Sequence, residues 1–173
     1  MPPVNITDIN AMDAKAFTQA LGGVFEHSPW IAKRAFAKRP FASPEDLHAS
    51  MVDVVKSASA QEQLDLILAH PDLAGKAAKA GEMTDHSVNE QASVGLDQLS
   101  EAEYQKFHEL NTSYRDKFGF PFIIAVMDNT KDSILEAFVD RLNNDKDIEK
   151  ATALENILRI TEIRLKAMTS QDA

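Results

Sequence analysis

The chain has 173 residues, 44% of them apolar, enough to bury one sizeable core and to make a single domain over 1–173 the expectation. Its 27 acidic and 18 basic side chains give a formal charge of −9, and the basic residues are scattered singly or in pairs, so neither nucleic acid nor an anionic membrane surface is an expected partner. The absence of cysteine excludes disulfides, thiolate nucleophiles and cysteine-based zinc sites together, and fits a reducing compartment.

Residues 1–10 lack the basic start and apolar stretch of a signal peptide. Further along, Gly22-Gly23 is a helix stop, and Ser28-Pro29 and Ser43-Pro44 each place a cap hydroxyl before a proline at the first helical position. Trp30, Phe36 and Phe41 read as core aromatics, given their helical context and the acidic charge. Pro40 and Pro71 are further stops, and between them Met51, Val52 and Val55, then Leu64, Ile67 and Leu68, follow a helical period. Ser87-x-x-Glu90 and Ser100-x-x-Glu103 have the spacing of capping boxes, and Gly119 ends the helix that the second one starts.

The next segment breaks the pattern. Residues 118–126 carry a glycine and a proline inside an apolar run, which disfavours a regular helix and predicts a buried, extended stretch. Its backbone groups need partners from neighbours, water or a ligand, which makes it a candidate ligand shelf; a strand-like crossover between helices is the simpler reading of its composition. Leu135, Phe138, Val139 and Leu142, then Leu154, Ile157, Leu158, Leu165 and Met168, predict two amphipathic helices joined near 143–147. The last four residues, Ser170-Gln171-Asp172-Ala173, are not a Ser-Lys-Leu type peroxisomal address, and the longest apolar run, 122–127, is too short to span a bilayer. The expectation is a soluble cytoplasmic protein of all-α class: a compact bundle of about eight or nine helices with one buried extended segment near 118–127.

His70 is the first candidate for chemistry. It stands at the end of the helix predicted over 61–69 and directly before Pro71, so its backbone is turned out of the helix where the carbonyl end favours an imidazolium. Such a group suits a proton donor near neutral pH, and equally a histidine that caps the last carbonyls. Glu90 suits a capping box with Ser87, but a carboxylate in the first turn of a helix also lies near converging backbone donors. Gln91 adds an amide that donates and accepts together, which suits a substrate rich in urea-like groups.

His70, Asp72, His86 and Glu90 fall in one stretch, yet no adjacent His-Asp pair or His-x-x-x-His spacing supports a metal site. No glycine-rich phosphate loop, Gly-x-Ser-x-Gly elbow or dinucleotide fingerprint occurs, so nucleotide and flavin chemistry are disfavoured.

Taken in order, the motifs resemble the 2-oxo-4-hydroxy-4-carboxy-5-ureidoimidazoline (OHCU) decarboxylase family. The matching stretches are Leu21-Gly22-Gly23-Val24-Phe25-Glu26-His27-Ser28-Pro29-Trp30 and Ala69-His70-Pro71-Asp72-Leu73-Ala74-Gly75-Lys76, then Ser87-x-x-Glu90-Gln91 with Gly95-Leu96. Phe118-Gly119-Phe120-Pro121-Phe122-Ile123-Ile124-Ala125-Val126 follows, then Arg141-Leu142-x-Asn144, Glu155-x-x-x-Arg159 and Ile163-Arg164-Leu165. The resemblance implies an all-helical homodimeric lyase of purine (urate) degradation, free of metal or organic cofactor, that decarboxylates a small-molecule ureide to (S)-allantoin. It implies that His70 is the catalytic acid/base with Glu90 as its partner. It implies a substrate pocket lined by Pro71, by Ser87, Val88, Asn89, Glu90 and Gln91, and by the backbone of Phe122, Ile123, Ile124, Ala125 and Val126, with Arg164 binding the substrate. Met127-Asp128 departs from the basic residue and glycine that relatives often carry there, which bears on the local turn and charge but leaves main-chain contacts in place.

Overall fold

The computed structural model describes residues 4–74 and 84–169. Gly75 and Lys76 of the second motif and the tail 170–173 lie outside the described residues. Among the described residues there are nine α-helices and no strand, as the all-α reading expects. They are α1 (Ile6–Ala11), α2 (Ala14–Leu21), α3 (Trp30–Ala35), α4 (Pro44–Ser57), α5 (Ala60–Leu68), α6 (Asp85–Ser93), α7 (Glu101–Phe118), α8 (Lys131–Arg141) and α9 (Lys146–Thr169). Two 3-10 turns, Phe36–Lys38 and Val126–Asp128, complete the set. The chain forms two compact units, one of Met1–Leu66 with Leu158–Ala173 and the other of Ile67–Ile157, so the division falls inside α5 and α9.

In the first unit, α4 begins as the sequence predicts: Ser43 Oγ accepts from the Asp46 N–H at 3.1 Å, with Pro44 at the first helical position. Ser28 does not repeat this. Its hydroxyl turns back to donate to the Glu26 carbonyl at 2.8 Å, and α3 starts after Pro29 without a side-chain cap. The competing local acceptor wins because Ser28 is buried, where its hydroxyl must find a partner. The core of this unit is built on Phe17, which meets Phe36 edge-on at 5.4 Å and stacks on Phe41 at 6.0 Å. Trp30 and Phe36 are only half-buried, each covered by a guanidinium, Arg34 at 4.7 Å and Arg39 at 3.6 Å. The long arginine stems supply the lid that a core would otherwise provide.

The second unit gathers its aromatics around Tyr114 of α7. Phe118, Phe122 and Phe120 lie at 4.5, 5.3 and 6.0 Å from its ring, and Phe122 stacks on Phe138 of α8 at 3.7 Å. Each such pair contributes about 0.5–1.5 kcal/mol beyond the area it buries. The periodic positions hold in part: Ile67 is buried, while Leu68 and Val139 are 44% and 49% exposed. For α5 the inward pair is Leu66 and Ile67, one step earlier in phase than the spacing Leu64, Ile67, Leu68 predicts.

The Ser100 capping box forms in full, with Ser100 Oγ accepting from the Glu103 N–H and the Glu103 carboxylate accepting from the Ser100 N–H. At the far end of α7, Gly119 adopts φ 79°, a left-handed conformation open to glycine, and its N–H closes on the Arg115 carbonyl at 2.8 Å. Pro121 then prevents the helix from resuming, and 121–125 form neither helix nor turn. Residues 120–126 are all buried, but the extended segment is shorter than the expected 118–127, since Phe118 still belongs to α7, Gly119 is exposed, and Met127 is exposed within the 3-10 turn.

Candidate functional site

His70 lies just beyond the end of α5, where its N–H donates to the Ile67 carbonyl at 3.2 Å. Pro71 disfavours a helical conformation at the residue before it, so the chain leaves the helix at this point. The imidazole is 6% exposed, and its Nε2 is closed off from solvent.

The loop that follows is held by three side chains from α6 and α7. Arg115 Nε donates to Asp72 Oδ1 at 2.9 Å, and Asn111 Nδ2 to the Leu73 carbonyl at 2.9 Å. Gln91 takes two more backbone groups: its Oε1 accepts from the Ala74 N–H at 2.9 Å, and its Nε2 faces the Asp72 carbonyl at 3.4 Å. Ala74 sits at φ 53°, which costs a residue with a Cβ about 1–2 kcal/mol, so these contacts hold the loop in a shape it would not take alone.

Helix α6 corrects the capping reading. Its N-cap is Thr84, whose Oγ1 accepts from the Ser87 N–H at 3.3 Å, and Asp85 occupies the first turn. Ser87 is therefore already inside the helix with its N–H taken, and Glu90 belongs to the second turn. Thr84 precedes Ser87 by the three residues that a cap needs, so the earlier hydroxyl claims the helix start.

Helical geometry then sorts the five expected pocket residues. Ser87 and Gln91, one turn apart, are buried, and Glu90 beside them is half-buried, while Val88 and Asn89 are exposed. The face that carries Glu90 is thus the one that Gln91 ties to the loop starting at His70-Pro71. The end of α6 also reaches the turn after the shelf, where Ser93 Oγ meets Met127 Sδ at 3.2 Å. Met127-Asp128 forms this turn without a glycine, as the 3-10 element Val126–Asp128.

The shelf is held at Ile123 and Ala125, two residues of the segment that are engaged by side chains. The Ile123 carbonyl accepts from Arg141 Nη1 at 2.7 Å, the Ala125 N–H donates to Asn156 Oδ1 at 3.1 Å, and the Ala125 carbonyl accepts from Asn129 Nδ2 at 2.9 Å. Ile124, between them, makes no backbone hydrogen bond among the described residues.

Sequence reasoning assigned no role to Arg141, Asn129 or Asn156. A usable signal exists for Arg141, since it follows Ile134 and Phe138 at helical spacing and so puts a cation on the buried face of α8. Its Nε donates to Glu149 Oε1 at 2.8 Å, and Tyr114 donates its hydroxyl to the same oxygen at 2.6 Å. Burial first, and then the Glu149 hydrogen bond, push the Tyr114 hydroxyl well above its ordinary pKa, so it stays a donor.

Arg164 belongs to the first unit. It is 3% exposed, and it donates from Nη2 to Glu26 Oε2 at 2.9 Å and from Nη1 to the Val24 carbonyl at 3.2 Å. Glu26 is fully buried, and the next residue, His27, sits at φ 45°. The same unit has an open cleft of about 700 Å³ bounded by Pro44, His48, Arg159, Glu162 and Lys166, none of them an expected site residue. Among the described residues no three His, Cys, Asp or Glu side chains stand close enough to hold a metal ion.

A family model described as OHCU decarboxylase matches residues 10–166. The chain is 44% identical to a 2-oxo-4-hydroxy-4-carboxy-5-ureidoimidazoline decarboxylase of Halalkalicoccus jeotgali, over 98% of this chain and 94% of the relative. It is 41% identical to one of Haloferax volcanii, over 99% of this chain and the whole of the relative. Among solved structures, a crystal structure of (S)-allantoin synthase aligns with a TM-score of 0.77 at 30% identity, over 97% of this chain and 54% of that one.

Proposed function

This chain belongs to the OHCU decarboxylase family, and from that premise we propose that it removes CO2 from 2-oxo-4-hydroxy-4-carboxy-5-ureidoimidazoline to give (S)-allantoin in urate degradation. The bond that breaks joins the carboxylate to the ring carbon bearing the hydroxyl. Its electron pair forms a double bond to the neighbouring ring carbon, while the C=N electrons of that carbon pass to nitrogen, which takes a proton. The product of this step is an enol. Loss of the hydroxyl proton and delivery of a proton to the ureido-bearing carbon complete the reaction, and the face of delivery sets the S configuration. The substrate supplies its own electron sink, so the protein has only to bind, orient and move protons. A metal or organic cofactor has no step to perform in this scheme.

In this reading His70 is the acid/base and Glu90 holds it, Pro71, Ser87, Val88, Asn89 and Gln91 line the substrate site with the backbone of 122–126, and Arg164 binds the substrate. The observation that carries it is the Gln91 link, which joins the face of α6 bearing Glu90 to the loop that opens with His70. The Ile124 N–H and C=O, which have no hydrogen-bond partner among the described residues, supply a donor and an acceptor, the pattern an amide or ureido group requires. Among the described residues no helix is long and apolar enough to cross a membrane. The whole chain acts as one domain, in a homodimer, in the cytoplasm.

Freshly generated OHCU, followed by circular dichroism, tests the assignment. The protein should yield optically active allantoin, where the spontaneous reaction gives racemate slowly. His70→Asn and Glu90→Gln should each lose about 10²–10⁴-fold in turnover, the usual span for removing a general acid or base, while unfolding at the same denaturant concentration as the parent. Undiminished (S)-allantoin production by either variant would remove that residue from the mechanism.

A further inference from the structure

We propose that Arg141 is a positioning residue for substrate recognition: anchored on Glu149, it fixes the Ile123 carbonyl and with it the Ile124 N–H of the same peptide plane, which the ureide meets beside the Ile124 C=O held through Asn156. The proposal rests on the reading above, in which the backbone of 122–126 binds substrate.

Glu149 is fully buried and cannot swing, because three donors hold it. Oε1 accepts from Tyr114 and from Arg141 Nε, and Oε2 accepts from Asn144 Nδ2 at 2.8 Å. Through Nε this carboxylate sets the plane of the guanidinium, and Nη1 transmits that plane to the Ile123 carbonyl. The Phe122 ring, stacked on Phe138, lies 4.3 Å from the guanidinium carbon and fixes its height. Two constraints, the carboxylate and the ring, therefore fix the guanidinium that holds one peptide of an otherwise irregular segment.

Stability alone does not account for this arrangement. A buried ion pair costs as much to desolvate as it returns, and apolar replacements of similar volume are often as stable. A neutral amide suffices for the neighbouring peptide, where Asn156 accepts from Ala125. Arg141 also leaves its Nη2 buried with no acceptor among the described residues, a penalty that a purely stabilising residue would not carry. What the guanidinium supplies is direction, since its fork is rigid and its two engaged nitrogens cannot move separately. The Ile123 carbonyl and the Ile124 N–H lie in one peptide plane, so rotating that plane rotates the Ile124 N–H, while the Ile124 carbonyl shares its plane with the Ala125 N–H that Asn156 holds.

Two variants test this. Arg141→Lys keeps the charge opposite Glu149 but loses the fork. Arg141→Met combined with Glu149→Gln removes both charges, and so leaves no orphan ion if the lysine variant folds poorly. Each should raise KM for OHCU and the Kd for (S)-allantoin about tenfold, the loss of one charge-assisted hydrogen bond's worth of alignment, with kcat within about twofold of the parent. Amide exchange at Ile124 should quicken in step. Unchanged KM and Kd in folded variants, whatever their melting temperature, would overturn the proposal and leave Arg141 a stabilising residue. A parent protein that forms no optically active allantoin would instead refute the reading on which the proposal stands, before any Arg141 variant is compared.

Discussion

Each compact unit buries one arginine against a carboxylate and has it donate to a backbone carbonyl: Arg141 on Glu149 and Ile123 in one, Arg164 on Glu26 and Val24 in the other. The two pairs differ in what they tie together. Arg141 and Glu149 are 8 residues apart, on neighbouring helices joined by a short turn, and the carbonyl they hold lies on an irregular segment. Arg164 and Glu26 are 138 residues apart, so their pairing closes the first unit across nearly the full length of the chain. The same chemistry thus sets a local peptide in one unit and long-range closure in the other.

The largest test of this comparison is to delete each cation. Arg141→Met and Arg164→Met should each cost about 3–5 kcal/mol in denaturant unfolding, because each strands a desolvated carboxylate. Midpoints equal to the parent's would mean that these charges are reached by water, and the parallel would fail. A smaller effect is expected at the other anchor of the second unit. Asn111→Leu leaves the Leu73 carbonyl without its donor and should cost about 1–3 kcal/mol. Because that loop opens at His70, turnover should fall by more than the lost stability explains, and amide exchange should rise across 70–74. A variant that lost stability alone would detach the loop from catalysis.

Much of this frame is legible in the sequence where a local rule has one solution. Pro71 turns the chain at His70, Ser43-Pro44 and Ser100-x-x-Glu103 start their helices, and Gly119-x-Pro121 yields the irregular buried segment. Reading fails where two local solutions compete. Ser87-x-x-Glu90 has the spacing of a cap, but Thr84 three residues earlier takes the role. Ser28 precedes a proline, but its hydroxyl donates to the Glu26 carbonyl and caps no helical N–H. The Gln91 amide suits a ureide as its composition suggests, yet its oxygen and nitrogen both face the backbone of the 70–74 loop, a partner 17 to 19 residues away that no spacing rule reveals. Arg141 is missed for the same reason, since its value depends on a carbonyl 18 residues upstream.

The smallest predicted effect lies in the first unit and depends on pH. His48 on α4 is partly buried, its Nε2 3.0 Å from Thr161 Oγ1, and desolvation lowers its pKa below the ordinary 6.5 against the opposing pull of Glu162 and of the Leu158 carbonyl. The cleft beside it also carries Glu45, Arg159 and Lys166. A histidine with a depressed folded pKa takes up its proton more readily when unfolded. Its contribution to stability is therefore fully present above pH 6.5 and is lost as pH falls from there through the folded value. His48→Gln keeps a group able to bond Thr161 and removes the titration, so it should flatten this limb of the stability curve. Urea midpoints at about pH 7.5 and about pH 5 give the measure, with the parent losing more between them than the variant. Equal losses would show that the acid sensitivity of this unit does not come from His48.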